Sequence, residues 1–265
     1  MRAPLIFALA CLPSLACTGD DADSRRTPLR VFAASSLTEA FEDLAARFER
    51  AHPDVDVRLA FAGSQVLRLQ IAQGAGADLF ASADPRHLSA LEEAELVRGV
   101  RPFASNELVV VVPANDPDAL ERFADLPDAE RIVLGTPEVP VGRYARRVLG
   151  RAAVRFGEGF ERRVLARVAS EESNVRLVRA KVELGEADAA LVYRTDAASS
   201  ERVRVVPIPE PLNVRARYAI GQVTVGGEGE RDDADDAAAR FLAFLRGPEG
   251  REALSRHGFL PEPAP

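Results

Sequence analysis

Hydrophobic and polar positions switch repeatedly between a period of two and a period near 3.6, a pattern that predicts an α/β protein. Residues 29–34 read as a short strand. After them Leu37, Ala40, Phe41, Leu44, Ala45 and Phe48 recur at i, i+3, i+4 spacing, a helix that Pro53 ends. Residues 55–61 alternate as a half-buried strand does, and Val66, Leu67, Ile71 and Ala72 predict a helix from Ser64 to Gly74 or Gly76. Residues 78–81 are a third strand, and Asp84-Pro85 then gives an N-cap with Pro in the first turn. The apolar run 108–112, stopped by Pro113, suits a buried strand leading into a second domain. There the pattern repeats: a strand at 132–134, an elbow at 136–144 and a helix through Leu149. Val175, Leu177, Val178, Val182 and Leu184 mark a helix ending at Gly185, and 188–193, 203–208 and 217–225 read as strands. The acidic, Gly-rich stretch 226–236 reads as a solvent loop running into a helix, and helical signals return over 241–245 and 253–254.

Four helix starts follow strand ends, at Ser36, Ser64, Val141 and Val175. The first two sit in polar elbows, Ala33-Ala34-Ser35-Ser36-Leu37-Thr38 and Phe61-Ala62-Gly63-Ser64-Gln65. A helix N-terminus exposes unpaired N–H groups and partial positive charge, and a Ser adds a neutral hydroxyl donor. Any one such Ser is ordinarily only a cap. In an open α/β sheet, however, ligands bind beyond the carboxyl ends of the strands, where such elbows gather. The set therefore points to a small anion held by neutral donors in a cleft between two domains.

Composition narrows this picture. The 265 residues suffice for one large or two modest domains, and the hydrophobic fraction of 47% is that of a soluble globular chain. A net charge of −7 argues against a nucleic-acid surface and against long-range capture of an anion, so local donors must do that work. His52, His87 and His257 are scattered over helix ends and surfaces, and no metal-ligand spacing connects them. Ser36 and Ser64 lack a Gly-x-Ser-x-Gly setting, the Gly226-Gly227 stretch lacks a phosphate-loop Lys, and Asp78 and Asp84 read as a strand end and a cap. Arg143 and Arg194 fall near the expected cleft, where they shape its mouth or pair across it.

The N-terminus reads as a targeting segment: Arg2, then an apolar run over 3–16 too short to span a membrane comfortably. Residues 1–16 are expected to be a signal peptide and 17–28 a polar tether. Ser14-Leu15-Ala16-Cys17 resembles a bacterial lipoprotein cleavage box, with Cys17 the lipidated residue; the alternative is an ordinary secretory signal cleaved nearby. Cys11 and Cys17 are the only cysteines, so cleavage before Cys17 leaves a body without thiols.

Several stretches carry a family resemblance: Val31-Phe32-Ala33-Ala34-Ser35-Ser36-Leu37-Thr38, Phe61-Ala62-Gly63-Ser64, and Ala77-Asp78-Leu79-Phe80-Ala81-Ser82-Ala83-Asp84. They continue in 137–144, in Glu172-Ser173-Asn174-Val175-Arg176, in 185–197, and in the Phe-Leu-x-Phe-Leu-x-x-Pro-Glu-Gly pattern with its Gly-Phe close over 241–259. In this order the chain resembles the periplasmic molybdate-binding proteins of bacterial ABC importers over nearly all its length beyond the tether. The resemblance implies a bilobed type II periplasmic binding fold with two crossings between lobes. Lobe 1 is then 29–106 with 217–265, and lobe 2 is 107–216. It also implies ligand contacts: hydroxyl and N–H from Ser36 and Ser64, backbone N–H from Val141 and Val175, and the Tyr193 hydroxyl. Val141 stands where a smaller Ala is common, so its methyl groups are expected to tighten the pocket; Ser35 replaces a frequent Ala and offers an auxiliary hydroxyl.

On this reading the chain is a monomeric extracytoplasmic binding protein without cofactor or catalysis. It delivers molybdate or tungstate to a membrane permease, with sulfate or phosphate as the alternative ligand. An enzyme on the same scaffold, such as porphobilinogen deaminase, attaches its cofactor through a body Cys that is missing here. A regulatory sensor would need a DNA-binding segment where this chain has an export signal.

Overall fold

A computed structural model describes residues 26–224 and 231–262, so the signal, the Cys17 box and the start of the tether lie outside the described residues. Its strands are β1 (Thr27–Ala34), β2 (Val55–Ala62), β3 (Leu79–Ser82), β4 (Val97–Pro113), β5 (Ile132–Gly135), β6 (Val168–Glu172), β7 (Ala189–Tyr193), β8 (Val203–Pro207) and β9 (Arg215–Val223). Its helices are α1 (Thr38–Ala51), α2 (Ser64–Ala72), α3 (Pro85–Glu93), α4 (Pro140–Phe156), α5 (Gly159–Ala166), α6 (Val175–Glu183), α7 (Arg194–Ala198), α8 (Arg231–Arg246) and α9 (Pro248–Arg256).

The strands follow the order β2-β1-β3-β9-β4-β7-β5-β6, with β8 on β4. β1 pairs in parallel with β2 and β3, and β9 runs antiparallel between β3 and β4. Strand β4 is the joint. Its pairing with β9 ends at Glu107↔Arg215, and from Leu108 onward it pairs with β7 and β8 instead. Parallel β5, β6 and β7 complete the second half. The result is a bilobed α/β molecule whose halves share one long strand.

The period of two along the strands sorts side chains between layers. Val31, Ala33, Leu79 and Ala81 join Phe41, Phe48 and Phe241 in the main core, where the Phe48 and Phe241 rings meet edge-on at 5.1 Å. Phe80, between Leu79 and Ala81, points the other way, to Leu67, Ile71, Leu88 and Leu91 of α2 and α3. Lobe 1 is thus a sheet with helices on both faces, and the 0% exposure of Leu108, Val111 and Val112 shows the same double burial in lobe 2.

Departures from the sequence pattern have local causes. β4 begins at Val97, well before the apolar run, because Arg98, Gly99 and Arg101 are exposed and carry no core signal. Helix α4 runs on to Phe156. Helix α5, strand β6 and the short α7 had no counterpart in the pattern: α5 buries only Phe160 and Val164, and β6 has no fully buried residue. The acidic stretch is helical from Arg231, not a loop to Asp236, with Asp232 and Asp233 placed at the favourable end of the helix dipole. His87 is buried within α3, not on a surface.

Candidate anion-binding cleft

The elbows expected from sequence are helix starts in space. β1 passes through a 3-10 turn, Ser35–Leu37, into α1. Gly63 caps α2, which makes Ser64 its first residue. Pro140 opens α4 with Val141 next, and Asn174 caps α6 by accepting the Leu177 N–H at 3.1 Å, with Val175 next. N–H groups in a first helical turn have no i−4 carbonyl and need partners elsewhere. The fit at α4 is tight: a Cβ on Gly142 would lie 2.2 Å from the Gly135 carbonyl oxygen, so glycine lets this helix start close against the end of β5.

All of Ser35, Ser36, Ser64, Val141, Val175 and Tyr193 line one cavity, together with Ala34, Ala62, Gly63, Ala83, Val139, Pro140 and Asn174. Its volume is about 10 Å³, far below the roughly 300–1,000 Å³ of ordinary metabolite pockets, which limits an occupant to a small ion. No lining residue is charged. The Val141 side chain leans over Gly135, where an added Cβ would meet its Cγ1 at 3.0 Å, so part of its bulk is absorbed by β5.

The hydroxyls at the cavity differ in their partners. Ser64 Oγ accepts the Ala83 N–H at 3.2 Å, which leaves its own proton for the cavity. Ser36 Oγ lies 3.0 Å from the Tyr218 hydroxyl. Tyr193, 1% exposed, has a buried hydroxyl oxygen without a hydrogen-bond partner among the described residues. Burial pushes its ionisation well above the ordinary phenol range, so it stays a neutral donor. A buried hydroxyl left unpaired costs about 1–3 kcal/mol, and a ligand acceptor in the cavity removes that penalty.

Contacts between the halves flank the cavity. Arg143, in the first turn of α4, donates from Nε to Asp84 Oδ2 at 2.7 Å; Asp84, 1% exposed, also caps α3 by accepting the Arg86 N–H at 3.1 Å. Arg176, in the first turn of α6, donates to the Ser35 carbonyl at 3.2 Å and pairs with Glu39. Gln65 Nε2 donates to the Ser173 carbonyl at 2.7 Å. The lobes are therefore closed on each other, and both arginines are neutralised by carboxylates outside the cavity. Arg194 pairs with Glu107 at 3.4 Å, away from the cavity lining. Among the described residues no cluster of His, Cys, Asp or Glu is arranged to hold a metal cation. Sequence reasoning missed Tyr218 and the Ala83 amide; Tyr218 reads only as one apolar position of a strand, and a backbone N–H leaves no mark.

Comparison with known proteins identifies the family. The family model described as bacterial extracellular solute-binding protein matches residues 29–260. The molybdate-binding protein ModA of Mycobacterium tuberculosis is 36% identical over 232 residues, covering 86% of this chain and 83% of that protein. The solved periplasmic molybdate-binding protein of Azotobacter vinelandii superposes with a TM-score of 0.73 at 19% identity, covering 88% of this chain and 100% of that one. The sulfate-binding protein SubI of M. tuberculosis superposes with a TM-score of 0.75 at 16% identity, covering 90% and 88%. The fold alone is thus shared by proteins named for different oxyanions.

Proposed function

The chain belongs to the bacterial extracellular solute-binding proteins, non-enzymatic partners of importers, and to their molybdate-binding branch; from that premise we propose how it holds its ion. Molybdate enters the closed cleft and is held by the hydroxyls of Ser36, Ser64 and Tyr193 and the backbone N–H groups of Ser36, Ser64, Val141 and Val175, with Ser35 auxiliary. The observation that carries this is the partnerless, buried Tyr193 hydroxyl in a cavity whose whole lining is uncharged. A tetrahedral dianion presents acceptors only, so a shell of neutral donors satisfies it, and exclusion of water strengthens each contact in the lower local dielectric. Tungstate, of nearly equal size and charge, is expected to bind about as well. Sulfate is smaller and leaves donors unpaired, at about 1–3 kcal/mol each.

The remaining assignments complete this reading. The loaded protein docks on an ABC permease as a monomer. The crossings fall near 106/107 and 216/217, consistent with the change of partners along β4. Residues 1–16 direct export, and the protein works in the periplasm or, where the box is cleaved and Cys17 lipidated, at the outer face of the cell membrane; among the described residues no helix is long and apolar enough to cross a membrane. Titration calorimetry with molybdate, tungstate, sulfate and phosphate tests the ligand. Molybdate and tungstate are expected to bind most tightly, and Ser64→Ala to weaken both by about 1–3 kcal/mol. Tighter binding of sulfate than of molybdate overturns the assignment.

A further inference from the structure

Two carboxylates, one on each lobe, flank a single arginine at the edge of the cleft. Arg176 belongs to α6 of the second lobe, yet its polar contacts go to the first: Nε donates to the Ser35 carbonyl at 3.2 Å and Nη2 pairs with Glu39 of α1. On its own lobe the arginine lies beside Asp196 of α7, and it bears on that carboxyl more strongly than any other charge. Asp196 is 3% exposed, and its Oδ2 is buried without a hydrogen-bond partner among the described residues. Arg179, the other guanidinium beside it, is committed to the Asp196 backbone carbonyl at 2.6 Å, to Ser199 Oγ at 2.5 Å and to Glu183 at 2.8 Å. A buried carboxyl left without donors keeps its proton. Burial raises the ionisation of Asp196 to about 7 against the pull of Arg176 and Arg179, and the Glu39 charge adds to the rise. Other ionisable groups around α7 have partners of their own or stay neutral. Glu107 of β4 pairs with Arg194, and Arg204 of β8 donates to the Ala119 and Leu120 carbonyls. Arg256 and His257, which share a crevice with Thr195 and Ser199, lie against Asp43. Tyr193 of β7 and Tyr218 of β9 are neutral phenols.

An ion can reach so small a cavity only when the lobes part, and parting carries Ser35 and Glu39 away from Arg176. We infer that Arg176 exchanges carboxylates as the lobes close, leaving Asp196 on its own lobe for Glu39 on the other, so that capture of the ion takes up a proton at Asp196. The inference rests on the cleft reading above and adds a proton to it. In the open protein Asp196 is the carboxylate beside Arg176, and the pairing keeps it ionised. Closure draws the guanidinium to Glu39 and the Ser35 carbonyl, seals Asp196 from water and favours the neutral acid. For each ion bound, a proton passes from solvent to the Asp196 carboxylate, so affinity falls as pH rises through about 7. Arg176 and Asp196 are positioning residues, since neither lines the cavity.

Calorimetric titration of the full chain with molybdate at pH 6 and pH 8.5, each in two buffers of different ionisation enthalpy, counts the protons. With Asp196 at about 7 in the closed form, uptake is expected to be about one proton per ion at pH 6 and almost none at pH 8.5, and binding to be about 10-fold tighter at pH 6. Asp196→Asn should abolish both the uptake and this pH dependence. Glu39→Gln, at a side chain 40% exposed, leaves Asp196 in place and removes the opposing charge. Arg176 then stays with Asp196 in the closed form, and uptake at pH 6 should fall to about half or less. No uptake by the unaltered chain, or uptake that persists in Asp196→Asn, overturns the inference. Uptake in Glu39→Gln equal to that of the unaltered chain shows that burial alone holds the proton, and overturns the exchange of partners. Failure of the unaltered chain to bind molybdate at either pH overturns the ligand assignment instead.

Discussion

Gly63→Ala is expected to separate ion binding from folding. Gly63 has φ −61° and ψ 138°, a conformation any residue adopts, so the substitution brings no backbone strain within lobe 1. A Cβ there would lie 2.3 Å from the Ser173 carbonyl oxygen on the other lobe, where ordinary contact begins at 3.4 Å. The lobes must then stand apart by the difference, about 1.1 Å at this point. The neighbouring Gln65 amide is flexible and swings away, but Ser173 O belongs to backbone next to the Asn174 cap and cannot. A retreat of about 1 Å takes hydrogen bonds of 2.7–3.1 Å beyond their useful range, so the ion keeps the donors of one lobe and loses those of the other. Loss of two charge-assisted bonds predicts weakening by about 3 kcal/mol or more, roughly 100-fold or beyond. Calorimetry gives the affinity, and thermal unfolding without ion gives the stability. The unliganded variant should melt close to the parent, since Ala restricts the unfolded chain but serves less well than Gly as the cap of α2. Unchanged molybdate affinity would refute the closed-cleft argument, and a large loss of unliganded stability would refute the claim that the contact is between lobes only.

Other consequences are open to similar checks. Tyr193→Phe removes a buried, partnerless hydroxyl, so ion-free stability should hold or rise by up to about 1 kcal/mol while molybdate binding weakens by about 1–3 kcal/mol; parallel loss of both would sink the assignment of Tyr193 as a donor to the ion. Arg143→Ala leaves Asp84 buried at 1% exposure without its partner on the other lobe, so stopped-flow measurements should show faster ion release with little change in capture. Asp196 supplies a pH dependence. Burial raises its ionisation to about 7 against the pull of Arg176 and Arg179, so the native state holds this proton more tightly than the unfolded chain. Its contribution to stability is present at low pH and is lost as pH rises through about 7. His87, kept neutral by burial, works in the opposite direction, so the test is the difference from Asp196→Asn. The unfolding free energy of the parent relative to that variant should fall between pH 5 and pH 8, and a flat difference would show that Asp196 does not hold its proton there.

What could be read along the chain was local. Ser36, Ser64 and Val175 were visible because a helix start after a strand leaves its mark within a few residues: a polar elbow, an Asn174 cap, a Pro140 in the first turn. Hydrophobic period likewise exposed β1 and α1, whose buried faces are continuous, and β2, whose Val57, Leu59 and Phe61 alternate half-buried against the core. It failed for β6, an edge strand of half-buried and exposed residues, and for the early part of β4, which is paired through its backbone while Arg98 and Arg101 face solvent. It failed for residues 231–236 because acidic side chains at an exposed helix start look the same as a solvated loop.

The sequence by itself determined the strand–elbow–helix units and their supply of neutral donors, since caps, turns and periodicity are set by neighbours in the chain. Tertiary structure decided that those units face one small cavity, that Gly63 meets Ser173 across it, and that Tyr218 stands behind Ser36. The physical reason is that each of these depends on pairs far apart in sequence, joined through β4 and β9. The direction of a hydroxyl proton is fixed only by what surrounds it after the chain has folded.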